Sequence, residues 1–161
     1  MGSNLGAMRL DIPEHKILVH EVSLPVCWGD MDALGHVNNT VYFRYMEQAR
    51  VSWITTIGGP VTSGADGPVI ANTFCNFYQE LVFPADLRLK LYVANPGRTS
   101  IDTFVTIERA DLPGEICAAG GATLVWISGA TGRPIPLPPH ILGLTGPKAL
   151  PASEPPPALP G

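Results

Sequence analysis

Only one stretch of the chain, residues 39–57, repeats its apolar side chains with a helical period, and it is long. Tyr42, Met46, Ala49, Trp53 and Ile57 follow at spacings of four, three, four and four, which stacks them along one face. Phe43 and Ile54 widen the stripe, while Arg44, Glu47, Gln48, Ser52 and Thr55 gather opposite. Asn38 or Asn39 suits the first turn, because an Asn side-chain oxygen accepts one of the early unpaired N–H groups. Gly58, Gly59 and Pro60 stop the helix. An aromatic-rich stripe of this kind is core rather than a cofactor site. The rest of the chain must therefore cover one helix.

That cover is β-structure. Residues 15–27 are rich in Val, Ile and Leu, and residues 69–83 are β-prone. Leu87, Leu89, Leu91 and Val93 alternate with Arg88, Lys90 and Tyr92. Ile101, Thr103, Val105 and Ile107 alternate with Asp102, Phe104, Thr106 and Glu108, and residues 118–128 close the set. Turn signals at Phe83-Pro84, Asn95-Pro96-Gly97 and Leu112-Pro113-Gly114 separate these runs. Consecutive strands joined by short turns predict an antiparallel meander, so the class is α+β: one curved sheet of about five to six strands around one helix. A single helix leaves part of the sheet for water or for another subunit, and the edge strands make self-association expected.

Both ends read differently from the middle. Residues 1–15 are a flexible lead-in with no signal-peptide core. Ten of the seventeen prolines fall from position 129 onward, so the carboxyl end is neither a central strand nor a helix interior. Residues 133–141 are expected to lie on the body as an extended arm, and 141–161 form a Pro-rich tail. The single domain is placed at 16–140. Ten Lys and Arg against fourteen Asp and Glu give a net charge of −4, which argues against nucleic acid as the main partner. No run reaches the roughly twenty apolar residues of a membrane span, and a cytoplasmic protein is the expectation. Cys27, Cys75 and Cys117 are odd in number, far apart and without metal spacing, which fits buried apolar roles.

The chemically dense segment joins the first strand to the helix. Asp30, Asp32, His36, Asn38 and Asn39 place two carboxylates, an imidazole and two amides in ten residues before a helix N-terminus. Such a terminus presents unpaired N–H groups and the positive end of the helix dipole, which hold an oxygen that gains negative charge during acyl transfer. A carboxylate beside the carbon of that carbonyl attacks it or deprotonates a water. Asp32 lies seven residues before Asn39, enough loop to fold back over the first turn, and Gly35 permits a tight path. His36 is suited to polarise, relay a proton or bind substrate. Taken singly, each residue also has a plain role: Asp30 and Asp32 as turn-forming acids, His36 as a hydrogen-bonded loop histidine, and the asparagines as caps. A metal site built from Asp30, Asp32 and His36 lacks further ligands, and no G-x-S-x-G elbow supports a serine nucleophile.

The run from Trp28 to Trp53 resembles the hotdog-fold thioesterases of the 4-hydroxybenzoyl-CoA thioesterase type. Within them it is most similar to the branch with D-x-D-x-x-G-H-V-N-N-x-x-Y-x-x-Y-x-E-x-A-R, complete here from Asp30 and Asp32 through Tyr42, Tyr45, Glu47, Ala49 and Arg50. The turns Phe83-Pro84-Ala85-Asp86 and Gly97-Arg98-Thr99-Ser100 agree more loosely. The resemblance implies a hotdog fold, a homodimer or dimer of dimers with sheets paired edge to edge, and two active sites at the dimer interface. It implies hydrolysis of an acyl-CoA thioester, with Asp32 as nucleophile or general base, the Asn39 N–H on the thioester oxygen, and no metal or organic cofactor. His36 is a further catalytic candidate through the H-V-N-N form shared with plant acyl-carrier-protein thioesterases. Many relatives carry Tyr or His where Asn39 stands, so only its backbone role carries over. Asn38, Arg98, Thr99 and Ser100 are candidates for holding substrate, Arg98 for a CoA phosphate, with Arg88 and Lys90 as further cations. A dehydratase, a non-catalytic acyl-CoA-binding module and an acyl-carrier-protein thioesterase remain as alternatives.

Overall fold

The computed structural model describes residues 10–59 and 62–145. Its elements are strand β1 (Ile17–Pro25), a 3-10 turn (Trp28–Asp30), helix α1 (Asn39–Thr56), strands β2 (Gly67–Phe77), β3 (Asp86–Ala94), β4 (Ser100–Arg109) and β5 (Ile116–Ile127), and a short helix α2 (Pro139–Leu142). The five strands form one antiparallel sheet in the order β1-β3-β4-β5-β2. It carries α1 on one face, the hotdog arrangement.

The meander holds for β3, β4 and β5 and fails at β2. The apolar run expected to be one strand to residue 83 ends at Phe77, because the N–H groups of Tyr78 and Gln79 both turn to the Cys117 carbonyl, at 2.8 and 3.0 Å. Residues 78–85 then pass beneath the start of α1, where Leu81 O accepts the Val37 N–H and Ala85 O accepts the Val26 N–H. This crossing carries the chain from the β2 edge to β3, next to the opposite edge strand β1, so β2 pairs with β5 and β3 pairs with β1. Turn spacing shows that two strands are consecutive, but not whether they are neighbours.

The helix buries Tyr42, Tyr45, Met46, Ala49, Arg50, Trp53 and Ile54. The expected stripe is present, but it ends before the half-buried Ile57 and extends sideways to Tyr45 and Arg50. Its bed consists of Leu87, Leu89, Leu91 and Val93 of β3, Ile101, Val105 and Ile107 of β4, and Ala118 and Leu124 of β5. Small residues on β5 set how close the helix comes. A Cβ built on Gly120 would lie 2.9 Å from Met46 Sδ and 3.0 Å from Cys75 Cα, and closer still to the Phe74 carbonyl oxygen. Gly120→Ala is therefore expected to cost about 2 kcal/mol by overpacking against backbone that cannot yield. A urea denaturation midpoint within error of the parent would contradict this.

On β1, an irregularity between Leu18 and His20 breaks the two-residue alternation and turns His20 toward the helix, where its Nε2 meets Ser52 Oγ at 2.8 Å. The opposite face of the sheet carries Arg88, which pairs with Glu21 and Glu108, and a small cluster of Tyr92, Ala94 and Phe104 covered by Ile12. Arg88 is thus engaged on the face away from the helix. The proline-rich arm lies on the body: Ile127 bridges Pro134, and Leu137 and Ile141 are buried in the main core with Leu144 packed against it. The core therefore continues beyond residue 140. Residues 1–9 of the lead-in and 146–161 of the tail lie outside the described residues.

Candidate active site

The loop between β1 and α1 is held by Asp30. The residue is 3% exposed, and Oδ2 accepts the Cys27 N–H at 2.9 Å and the Tyr45 hydroxyl at 2.7 Å. Oδ1 accepts from the Arg44 guanidinium. Burial pushes this carboxyl upward, but the Tyr45 hydroxyl, the Cys27 amide and Arg44 outweigh it and hold Asp30 below the usual aspartate value. Burial, then the Asp30 carboxylate, raises the Tyr45 phenol, which remains a neutral donor. Asp30 is an anchor that ties the loop to Tyr45 and Arg44 on the second turn of the helix.

Beyond this anchor the chain makes a narrow loop. Met31 bridges Val37, the Asp32 N–H donates to His36 O at 3.1 Å, and the Gly35 N–H returns to Asp32 O at 3.0 Å. The return needs φ +86° at Gly35, a left-handed conformation that disfavours any side chain. The exposed Asp32 carboxylate folds back on its own loop. Oδ1 accepts the Leu34 N–H at 2.9 Å, and Oδ2 accepts Asn38 Nδ2 at 3.0 Å. The other end of that amide, Asn38 Oδ1, accepts the Thr40 N–H at 2.9 Å and caps α1. Asn38 thereby couples Asp32 to the first helical turn, and both ends of its amide are in use.

The cap leaves one amide over. Thr40 N–H goes to Asn38 Oδ1 and Val41 N–H to Asn38 O, while the first helical amide, that of Asn39, has no acceptor among the described residues. Asn39 lines a cleft of about 250 Å³ with His36, Val37, Tyr42, Phe77, Tyr78, Gln79 and Glu80. One wall is aromatic: the Tyr42 and Phe77 rings meet edge to face at 5.0 Å, and burial pushes the Tyr42 phenol up to about 12. At the mouth, His36 Nε2 lies 3.0 Å from Glu80 Oε2. A larger depression of about 680 Å³, between Val26, Phe83, Asp86 and Arg109, has no helix terminus or imidazole, and its Arg109 is paired with Asp111. The smaller cleft is the one that brings together an amide donor, an imidazole, a carboxylate and an apolar wall.

The remaining sequence candidates lie elsewhere in the chain. Arg98, Thr99 and Ser100 sit at the β3–β4 turn, where the Arg98 and Thr99 carbonyls accept from Leu137 and Trp126. The Asp32 loop meets the other end of β3, beside Ala85, so roughly 25 Å of strand separates the two within one chain. Phe74 faces away from the helix, in the outer cluster. Sequence reasoning missed Glu80, which has no motif around it and reaches His36 only because β2 ends where it does. Among the described residues, no group of three or more His, Cys, Asp or Glu is placed to hold a metal ion.

Known proteins share this architecture. The PA2801 protein of Pseudomonas aeruginosa is 36% identical, with a TM-score of 0.77 over 80% of this chain and 99% of that one. XC229 of Xanthomonas campestris, assigned as an acyl-CoA thioesterase, is 34% identical, with a TM-score of 0.63 over 68% of this chain and 92% of its own. A Thermus thermophilus thioesterase solved with coenzyme A and Zn is 27% identical, with a TM-score of 0.64 over 78% and 95%. The profile that describes the thioesterase-like superfamily matches residues 26–144, which include the anchor, the Asp32 loop, the helix and every strand after it. This chain belongs to the thioesterase-like superfamily.

Proposed function

We propose that the chain hydrolyses an acyl-CoA thioester to the free acid and CoA. The observation that carries this reading is the Asn39 N–H, which has no acceptor among the described residues and belongs to a residue lining the cleft beside the Asp32 loop. That amide holds the thioester oxygen as it becomes an oxyanion, helped by the positive end of an eighteen-residue helix. Asp32 acts as base toward water or attacks the carbonyl carbon, and Asn38 sets its direction. Val37, Tyr42 and Phe77 seat the acyl group, and His36 stands at the mouth where the sulfur leaves. The Thermus relative with bound coenzyme A and the Xanthomonas relative support CoA as the thiol.

The CoA end of the site requires a second copy of the chain. Strand β2 is a free edge with no charged residue from Gly67 to Phe77, and Val69 and Ile70 are exposed along it. A long, uncharged, apolar edge pairs with another edge unless something blocks it. Antiparallel pairing of two β2 strands about a two-fold axis sets the Phe77 end of one chain against the Gly67 end of the other. The β3–β4 turn lies at that Gly67 end, through Val125, which pairs with both Ser100 and Val69. Thus the partner's Arg98 approaches the cleft that its own chain's Arg98 cannot reach, with Thr99 and Ser100 beside it for a CoA phosphate. Ile70→Lys is expected to convert a dimer to monomers in sedimentation and to lower CoA release with it. A dimeric, fully active variant would remove this edge from the account.

The function itself is tested by thiol-detected turnover over a panel of acyl-CoA and acyl-carrier-protein thioesters. Release from acyl-CoA supports the reading, and release only from the carrier protein replaces it. One observation favours a non-catalytic acyl-CoA-binding module: both Asp32 oxygens are already hydrogen-bonded. That reading predicts a thermal shift with acyl-CoA and no release of thiol.

A further inference from the structure

Helix α1 covers one face of the sheet. The other face carries Tyr92, Ala94 and Phe104, each no more than 6% exposed, with Phe74 against them. A strap of the same chain lies over them. Residues 10–16 cross this face from the start of β1 to β2 on the far edge. At the β1 side the Lys16 ammonium lies 5.1 Å from the centre of the Tyr92 ring and donates to Pro13 O at 3.2 Å. Ile12 packs on the aromatic cluster, and the Leu10 carbonyl accepts from Asn76 Nδ2 of β2 at 2.9 Å. Five strands spaced about 4.8 Å apart span about 19 Å, which seven extended residues cover with little slack. The cover is light. Among the described residues, no backbone hydrogen bond joins 10–16 to the sheet. A space of about 580 Å³ stays open between Leu10, Asp11 and Pro13 of the strap and Phe74, Asp102 and Phe104 of the sheet.

We infer that this strap occupies a face on which a second copy of the chain packs once the strap is lifted, and that it thereby limits assembly to the pair joined through β2. The inference uses the β2 pairing above and not the reaction. The face suits a copy of itself. Its centre is aromatic and apolar, and an apolar face laid bare draws a partner. Its margin carries both signs of charge: Arg88 lies 3.0 Å from Glu21 and 3.7 Å from Glu108. A two-fold interface sets one surface against itself, and a margin of mixed charge does not repel its copy. Pairing through β2 also brings the outer faces of two chains side by side in one sheet, so a second pair covers both at once. Only the strap stands in the way, and it holds the face through Ile12, the Asn76 amide and the Lys16 contact with Tyr92.

The test weighs the assembly by sedimentation velocity over a wide range of concentration. Two variants lift the strap. Ile12→Asp/Lys16→Gln keeps the full chain, removes the apolar contact and the cation, and adds a carboxylate beside Asp11 and Asp102. Deletion of residues 2–15 removes the strap outright. The parent is expected to be no larger than a dimer, and each lifted variant to form a discrete species of twice the parent's mass. Phe104→Lys, added to either variant, puts a like charge at the centre of the bared face and restores the parent's mass. A thermal melt confirms that each variant is folded, and a doubled mass in either one supports the inference. Four results overturn it: a parent that is already a dimer of dimers, both variants at the parent's mass, an unbounded aggregate in place of a doubled species, or a doubling that Phe104→Lys does not reverse. None of these bears on CoA release, which the turnover panel tests separately.

Discussion

Asp32→Asn is expected to fold like the parent and to lose at least about 100-fold in kcat, because a general base or nucleophile contributes that much and an amide does neither job. The substitution is isosteric, and the site is exposed. The single oxygen of the new amide can keep the Leu34 N–H, but its NH2 then faces Asn38 Nδ2, so that one exposed hydrogen bond is exchanged for water. Stability should therefore change by no more than about 1 kcal/mol. Paired measurements separate the roles: CoA release by a thiol reagent, and the midpoint of urea unfolding. Turnover within two-fold of the parent would remove Asp32 from the chemistry. A large drop in the urea midpoint would show instead that the loop depends on its charge.

The neighbouring acid has the opposite profile. Asp30→Ala is expected to destabilise the protein by about 2 kcal/mol, because it leaves the buried Tyr45 hydroxyl without its acceptor and unties the loop from Cys27 N–H and Arg44. Cys27 N–H, the Tyr45 hydroxyl and Arg44 all donate to this carboxylate. The pH dependence follows from the direction of its shift. Asp30 titrates below the unfolded value of roughly 3.9, so its stabilisation is complete above about pH 4. It is lost as acid carries the pH down through the lower folded value. Urea midpoints of the parent should fall more steeply between about pH 4 and pH 2 than those of Asp30→Ala. Parallel curves, or equal stability at neutral pH, would show that Asp30 does not hold the loop. Activity falls in this variant as well, because the same anchor fixes where Asp32 starts.

The two aspartates stand two positions apart in one motif, and nothing in their local sequence distinguishes a buried anchor from an exposed loop acid. Asp30 faces Tyr45 and Arg44 on the second turn of α1, whereas Asp32 faces the cap. The resemblance to hotdog thioesterases singled out Asp32, and only the packing shows why the first acid is present. Spacing puts Arg44 on the polar face of the helix, yet it reaches back to Asp30, and Arg50, at the end of the motif, lies buried. Tyr45 lies off the apolar stripe read from spacing and is buried because its hydroxyl has a partner. Phe74 and Phe77 are three positions apart on one strand, so alternation places them on opposite faces, and the register with Gly121 and Ala118 decides which face is inside.

Local patterns determined much of this protein: a long helix with its cap and stop, strands of the right period around it, and a loop whose acids, imidazole and asparagines precede a helix N-terminus. Those features depend on spacings of one to seven residues, over which backbone geometry is nearly fixed. The tertiary structure decided what lies far apart in the chain: that β2 leaves the meander for β5, that Glu80 meets His36, and that Arg98 sits at the far end of its own sheet. Each of these depends on which surfaces bury one another across tens of residues. No local propensity encodes that choice, because the chain selects among such pairings only when the whole core closes.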